Sequence, residues 1–169
     1  MVILYRYIWV DIYATNTYII VAYLIIYHMT NQPQFTWFEE KRFSIVHAFM
    51  GNVVTDRWSK YSVSWGIVIG DKTSIKQRLT TYLSDKYFAK ATHNSYAYRI
   101  RDAGGTLIEW KNDDGETGAG QCILTVLLRE NIIDGIVVVT RYFWWVQLHG
   151  DRFRHVIDAT KTFVEKYKT

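Results

Sequence analysis

The sequence predicts an α+β domain in which a mixed four-stranded sheet is covered by helices on one face. Three observations predict this fold class. Residues 136–142 form a continuous apolar run, which is typical of a central strand buried on both faces. Two strand-like segments flank the turn Ala103-Gly104-Gly105 and predict a hairpin. Apolar residues recur at helical spacing elsewhere, which gives the order strand, helix, hairpin, helix, strand, helix.

The first strand and the first helix precede the hairpin. Residues 41–50 alternate between apolar and polar side chains and predict a strand. Its inward-pointing side chains are expected to be Phe43, Ile45 and Val46. Ser74 and Gln77 match a capping box, which predicts a helix that begins there and ends near residue 91. Its apolar face comprises Ile75, Leu79, Tyr82 and Leu83.

The remaining elements follow in order. The hairpin consists of strands at residues 94–101 and 106–111. The next helix ends near residue 131, and its apolar positions are Ile123, Val126 and Leu127. After a turn at Asp134-Gly135 and the buried strand, a last helix is predicted from residue 151 to about 167. Its apolar face comprises Phe153, Val156, Ile157, Thr160, Phe163, Val164 and Tyr167.

Composition narrows the class of protein. The chain has 169 residues, 49% of them hydrophobic, which is enough for a sizeable core. Its net charge of +4 permits nucleic acid or acidic protein partners and requires neither. Cys122 is the only cysteine, so an internal disulfide and a cysteine-based metal site are both excluded. This usage is typical of a reducing compartment and predicts a cytoplasmic protein.

The chain divides into three segments by composition. Residues 1–28 are an apolar extension, residues 29–38 around Pro33 form a linker, and residues 39–169 form the domain. Three interpretations of the extension stay open: a leader with Met29 as the natural start, a poor membrane anchor at residues 7–27, or an extra element packed on the domain.

The most informative stretch of the sequence is Asn112-Asp113-Asp114-Gly115-Glu116-Thr117-Gly118-Ala119-Gly120. It predicts a strand that turns tightly and then opens a helix. Glycines there allow close approach of the backbone, and a helix N-terminus favours negative charge. Glu116 and Thr117 can supply that charge and the hydrogen bonds internally, or a bound phosphate or carboxylate can. The carboxylates can also hold a divalent ion or act as an acid–base pair, or simply stabilise the turn.

Three further positions invite a functional and a structural interpretation. His93-Asn94 is either a polar pair at the end of the sheet, suited to phosphate or proton transfer, or a helix-terminating loop. Arg141 ends the buried strand and requires a partner, which is either Asp113 or Asp114 in a structural ion pair or a phosphate. Cys122 is expected to be a small packing residue.

Four blocks of sequence together resemble the Impact family, which includes the eukaryotic Impact proteins and the bacterial YigZ-type proteins. These blocks are residues 91–100, 112–120, 136–143 and 150–155. The Asp-Arg-Phe-x-His element at residues 151–155 resembles the eukaryotic branch, and the resemblance covers about residues 39–166. It implies a fold like the second domain of a small-subunit ribosomal protein. The binding positions that it implies are His93, Asn94, Asp113, Asp114, Gly115, Glu116, Gly118, Gly120, Arg141, Asp151 and Arg152.

The sequence departs from the family pattern at three places. Trp144-Trp145 replaces a pair of glycines, so the loop is either rebuilt or the site that it forms is lost. Those indoles are expected either to stack on a base or a protein, or to lie in the core. His149-Gly150 stands where the eukaryotic branch has Gly-Pro, and part of residues 51–70 looks like an insertion between the first strand and first helix.

Three functions remain in view. The resemblance implies a non-enzymatic regulatory module that modulates translation under amino-acid starvation, through a protein partner of the translation stress response and without a cofactor. An RNA-binding module is the first alternative, supported by the cationic face of the last helix: Arg152, Arg154, Lys161, Lys166 and Lys168. The second alternative is a metal-assisted enzyme in which Arg141 holds a phosphorylated ligand and a carboxylate acts as base.

Overall fold

A computed structural model describes residues 40–43, 46–68, 72–143 and 148–168, all within the second of the chain's two units, Glu39–Thr169. In this part of the chain five strands and four helices are seen. The strands are β1 (His47–Asp56), β2 (Ser59–Ile67), β3 (His93–Arg101), β4 (Leu107–Asn112) and β5 (Gly135–Tyr142). The helices are α1 (Lys72–Ser84), α2 (Lys86–Ala89), α3 (Ala119–Arg129) and α4 (Asp151–Tyr167).

The strands form one open sheet in the order β1-β2-β5-β3-β4, in which every neighbouring pair is antiparallel. The predicted α+β class is confirmed, and so is the central position of β5. The expected mixed four-stranded sheet is wrong in detail, because the described sheet has five strands and no parallel pair. The extra strand arises in the segment 51–70, where the end of β1 and the whole of β2 pair as a hairpin.

Strand β1 begins later than predicted. It starts at His47, whereas Phe43 forms only an isolated bridge to Lys168. Phe43 is buried as expected, but Val46 is 66% exposed, and Ile45 lies outside the described residues. The sequence also does not predict strand β2, and this second error has a physical cause. The turn between β1 and β2 is Arg57-Trp58, and neither residue type is typical of a two-residue hairpin turn.

The helices cover both faces of the sheet, which corrects the expectation of one covered face. Alternate residues of β5 divide between two apolar cores. Val137 and Val139 pack with the residues of α3 and α4, and Ile136 and Val138 pack with those of α1 and α2. The physical reason is the one that predicted a buried central strand: an apolar run without alternation requires cover on both sides.

The first helix differs from its predicted form at both ends. Helix α1 begins at Lys72, so Ser74 lies inside its first turn and does not precede it. It ends at Ser84, where Asp85 starts α2 by accepting a hydrogen bond from the amide of Tyr87 at 2.7 Å. Ile75 and Tyr82 are buried as predicted, and Leu83 is 43% exposed. The hydroxyl of Tyr82 donates to the carbonyl of Trp65, and burial raises the pKa of Tyr82 to about 12.

The later elements match the sequence closely. Helix α4 has the predicted bounds, and Val156, Thr160, Phe163 and Val164 of its predicted face are buried. Helix α3 places Ile123, Val126 and Leu127 in the same core. Trp65 of β2 is fully buried there, with its ring centroid 3.8 Å from that of Phe43. The β3–β4 hairpin is confirmed.

One end of the sheet collects the sequence motifs. It comprises the Arg57-Trp58 turn, His93 at the start of β3, the turn between β4 and α3, Arg141 near the end of β5, and the start of α4. We call it the motif end. None of the described helices is both long and apolar enough to span a bilayer. The extension at 1–28 and the linker at 29–38 lie outside the described residues.

The close packing of Trp65 against Gly135 can be tested by a substitution at Gly135. A Cβ added there would lie 1.9 Å from Cη2 of Trp65, which is fully buried. We expect Gly135→Ala to lower the free energy of unfolding by about 3 kcal/mol, as overpacking does in a tight core. Chemical denaturation measures it. The control is Gly150→Ala, where an added Cβ meets nothing within 4 Å and the change should stay below about 1 kcal/mol. Equal losses in the two variants would contradict the packing.

Candidate functional site

The turn between β4 and α3 supplies its own helix cap. The carboxylate of Asp113 accepts hydrogen bonds from the amides of Gly118 at 2.9 Å and Gly120 at 2.8 Å. Asp113 therefore performs the capping that the sequence assigned to Glu116 and Thr117. A Cβ at Gly120 would lie 2.7 Å from the carbonyl oxygen of Asn112, so glycine is required for this close approach.

Asp114 ties the same turn to strand β3. Its carboxylate accepts a hydrogen bond from the amide of Asn94 at 2.6 Å. Its carbonyl oxygen lies 2.8 Å from Nδ1 of His93, and because a carbonyl only accepts, Nδ1 carries the proton. The hydroxyl of Ser95 donates to the carbonyl of Asp113 at 2.7 Å. Both aspartates thus hold backbone N–H groups, as the turn interpretation predicts.

A buried ion pair joins this turn to the central strand. Arg141 donates through Nη1 to the carboxylate of Glu116, and their side chains are 7% and 3% exposed. The partner predicted for Arg141, Asp113 or Asp114, is wrong, because both aspartates face the backbone. Nη2 of Arg141 lies 3.4 Å from the hydroxyl of Ser59. Glu116 therefore compensates a charge that would be costly to bury alone.

A second group of ion pairs fixes the β1–β2 turn against α4. Arg57 bridges the carboxylates of Asp56 and Asp151, and Nε2 of His155 lies 2.8 Å from Asp56. The hydrogen bond from Arg57, followed by that from His155, lowers the pKa of Asp56. Arg57 and Trp58 have φ values of 43° and 70°, which residues other than glycine rarely adopt. The indole of Trp58 is 76% exposed at the tip of this turn.

A cavity of about 230 Å³ opens at the motif end. Its lining residues are His93, Arg141, Phe143, Leu148, His149 and Arg152. Nε of Arg141 and Nε of Arg152 are buried and have no hydrogen-bond partner among the described residues. The guanidinium of Arg152 lies over the ring of Phe153, 4.6 Å from its centroid. No carboxylate is among the described lining residues, so the cavity is cationic in character.

The structure brings only some of the predicted site residues together. His93, Arg141 and Arg152 share the cavity. Gly115 and Gly118 shape the adjoining turn with φ values of 81° and 93°. Those that face elsewhere are Asn94, Asp113, Asp114, Glu116, Gly120 and Asp151. The amide group of Asn94 lies on the opposite face of the sheet, where it donates to the carbonyl of Phe88 at 3.0 Å and accepts from Thr140.

Sequence reasoning missed three residues of the motif end. Arg57 and Trp58 went unassigned because their turn carries no glycine, asparagine or proline signal. His149 is named in the sequence only as a departure from the family pattern, yet it lines the cavity. Trp144-Trp145 lies outside the described residues, so the predictions for it stand untested.

Metal and thiol chemistry find little support among the described residues. No group of three or more His, Cys, Asp or Glu side chains there is placed to hold a metal ion. Cys122 packs partly buried against the core, and burial raises the pKa of its thiol. This environment favours the packing role predicted for Cys122.

Comparison with known proteins identifies the class of this domain. The family model described as the Impact N-terminal domain matches residues 59–164. The chain therefore belongs to the Impact family. It is 36% identical over 121 residues to the Protein IMPACT homolog of Dictyostelium discoideum, covering 72% of this chain and 35% of that protein. It is also 36% identical to human Protein IMPACT, covering 70% of this chain and 38% of that protein.

A further relative and two solved structures are also similar to this chain. The Protein IMPACT homolog of Schizosaccharomyces pombe is 31% identical, covering 79% of this chain and 43% of that protein. The chain thus spans about two fifths of these relatives. The crystal structure of a hypothetical protein, 16% identical, matches 77% of this chain and 62% of its own with a TM-score of 0.64, which supports the fold. The two-domain translational regulator Yih1, 27% identical, matches 71% of this chain and 47% of its own with a TM-score of 0.49.

The buried ion pair gives a stability prediction. We expect Glu116→Ala to lower the free energy of unfolding by about 3–5 kcal/mol, because it leaves Arg141 charged and unpaired in the interior. Glu130→Ala is the control, since that carboxylate pairs with Lys168 at 2.9 Å near the surface, and its loss should be about 1 kcal/mol or less. In chemical denaturation, the double variant Glu116→Leu/Arg141→Met should recover most of the stability. A double variant as unstable as Glu116→Ala would contradict an electrostatic origin.

The second group of ion pairs gives a pH prediction. The carboxyl group of Asp56 should titrate below its ordinary value of 3.8, as followed by carbon-13 NMR. Because the pKa of the folded state is lowered, the stabilisation is present above the unfolded-state value and is lost as the pH falls through the folded-state value. Arg57→Gln should move the titration upward, and Arg154→Gln should not. An unchanged midpoint in Arg57→Gln would contradict the assignment.

Proposed function

We propose that this chain is a regulatory module that modulates translation under amino-acid starvation through contacts with other proteins. Membership of the Impact family supports a regulatory role related to translation. The partner is a protein of the translation stress response, and the cytoplasm, where translation takes place, is the proposed location. The chain spans about two fifths of the length of its relatives. This activity is therefore a proposal for the domain and does not extend to every activity of the full-length relatives.

The observation that carries the protein-contact proposal is the exposed indole of Trp58. Its turn is held by the ion pairs of Arg57 with Asp56 and Asp151, so the ring is presented on a rigid support. Tryptophan and arginine are the residues most enriched among those that dominate binding energy in protein interfaces. An anchor that is already ordered loses little conformational entropy on binding, which favours affinity.

The positions of the motif carboxylates support a role other than catalysis. Asp113 caps α3, Asp114 holds the amide of Asn94, and Glu116 neutralises Arg141. Each carboxylate is therefore engaged in a structural contact and is a poor candidate for a general base. This arrangement gives the metal-assisted enzyme less support than the regulatory module.

The RNA-binding alternative also has less support. On the cationic face of α4, Lys168 pairs with Glu130, Lys166 lies over the ring of Tyr167, and Arg154 lies 3.7 Å from Asp151. The two carboxylates reduce the charge that the helix offers to a phosphate backbone, whereas Lys166 keeps its charge beside a neutral ring. Binding that weakens steeply with salt would be the signature of that alternative.

The test compares two exposed tryptophans. Trp58→Ala should abolish the effect of the chain on a starvation-activated translation kinase, measured in cells as phosphorylation of the kinase substrate during amino-acid limitation. Removing an interface anchor of this kind lowers affinity by about 2 kcal/mol or more, or at least about thirtyfold. Trp110→Ala is the matched control, because Trp110 is 56% exposed but lies within edge strand β4, away from the Arg57-Trp58 turn.

The outcomes separate the hypotheses. Loss of the effect in Trp58→Ala alone, with both variants folded, supports a protein contact at the motif end. Equal effects of the two variants would rule out a specific role of Trp58. No effect of the unaltered chain on kinase output would overturn the proposed function.

A further inference from the structure

We propose that the cavity at the motif end binds the phosphate group of a small phosphorylated ligand. The cavity is the one lined by two arginines and two histidines together with Phe143 and Leu148. This inference does not depend on the proposed protein contact, because Trp58 is not among the lining residues. It assigns a ligand class to a site that the family match leaves without one.

The first argument is the balance of charge in the cavity. Glu116 neutralises Arg141, but Arg152 has no ion pair among the described residues, and its guanidinium lies over the neutral ring of Phe153. The carboxylate next in sequence, Asp151, is bound to Arg57 and Arg154. The lining therefore holds positive charge without a matching carboxylate, which favours an anion.

The second argument is a pair of unsatisfied donors. Nε of Arg141 is buried without a partner in the part of the chain that the structure describes, and the whole residue is only 6% exposed. Nε of Arg152 is likewise buried without a described partner. Buried donors in native proteins almost always have an acceptor, so these two donors leave the arginines beside the cavity incompletely compensated.

The third argument concerns the direction of approach. The polar side chains of the lining come from several elements, among them His93 from β3, Arg141 from β5, and Arg152 from the first turn of α4. Gly150 offers no side-chain cap to α4, and the N-terminus of this 17-residue helix favours negative charge. Donors from a guanidinium and from a helix N-terminus suit phosphate, which offers more negative charge and more acceptor oxygens than a carboxylate.

The size of the cavity limits the ligand. Its volume of about 230 Å³ is smaller than the roughly 300–1,000 Å³ of pockets that enclose drug-sized molecules. One phosphoryl group and the atoms next to it therefore fit, and the rest of a larger ligand would extend outside. Inorganic phosphate and adenosine 5′-monophosphate should accordingly bind with similar affinity.

The experiment is isothermal titration calorimetry of the full chain with inorganic phosphate, with adenosine 5′-monophosphate, and with acetate as a planar anion. We expect both phosphates to bind and acetate to bind far more weakly. Arg152→Ala should weaken phosphate binding by about tenfold or more, because it removes charge-assisted hydrogen bonds. Arg154→Ala is the matched control, since Arg154 carries the same charge two residues away but is 65% exposed and outside the cavity.

The remaining outcomes decide the proposal. If Arg152→Ala unfolds, Arg152→Gln keeps most of the aliphatic stem and takes its place. Equal weakening by the Arg152 and Arg154 variants, equal binding of acetate, or no binding of either phosphate overturns the proposal. Binding of single-stranded RNA without binding of inorganic phosphate also overturns it and indicates a diffuse nucleic-acid surface. Trp58→Ala should leave phosphate binding unchanged, so this proposal and the protein contact fail independently.

Discussion

The buried pair of Arg141 and Glu116 is the constraint on which the motif end depends. Arg141 lies near the end of the central strand, and Glu116 lies in the turn that opens α3. Because both side chains are almost fully buried, neither charge can turn to water if the other moves. The turn is therefore held at a fixed distance from the sheet, and this leaves Asp113 and Asp114 in place to serve the helix N-terminus and the start of β3.

The different contacts of the three carboxylates determine which charge the motif end presents to a ligand. Negative charge is directed inward, to Arg141 and to backbone amides, whereas the positive charge of Arg152 remains beside a cavity. A sequence with three carboxylates in four residues suggests an acidic or metal-binding site. The structure instead supports a cationic site. Glu116 is used to pair with the buried Arg141, and Asp113 is used to cap the N-terminus of α3, so neither carboxylate faces the cavity.

The sequence predicted the second half of the fold better than the first, for identifiable reasons. The bounds of α4 and the burial of β5 follow from hydrophobic periodicity, which is unambiguous over long segments. The β1–β2 hairpin was hidden because Arg57-Trp58 has no turn signal and depends on contacts with Asp151 for its conformation. The sequence also does not predict that Glu116 pairs with Arg141. The spacing of the carboxylates in residues 113–116 does not indicate which of them points into the interior.

The first turn of α4 connects the two surfaces of the motif end. Asp151 binds Arg57 and so supports the turn that presents Trp58, and the next residue, Arg152, lines the cavity. The family match begins at Ser59, directly after that turn, so a feature outside the matched region is anchored to a residue within it. Adjacent residues of one helix thus hold the exposed indole on one side and the cationic cavity on the other. A displacement of this turn of α4 would therefore alter both surfaces together.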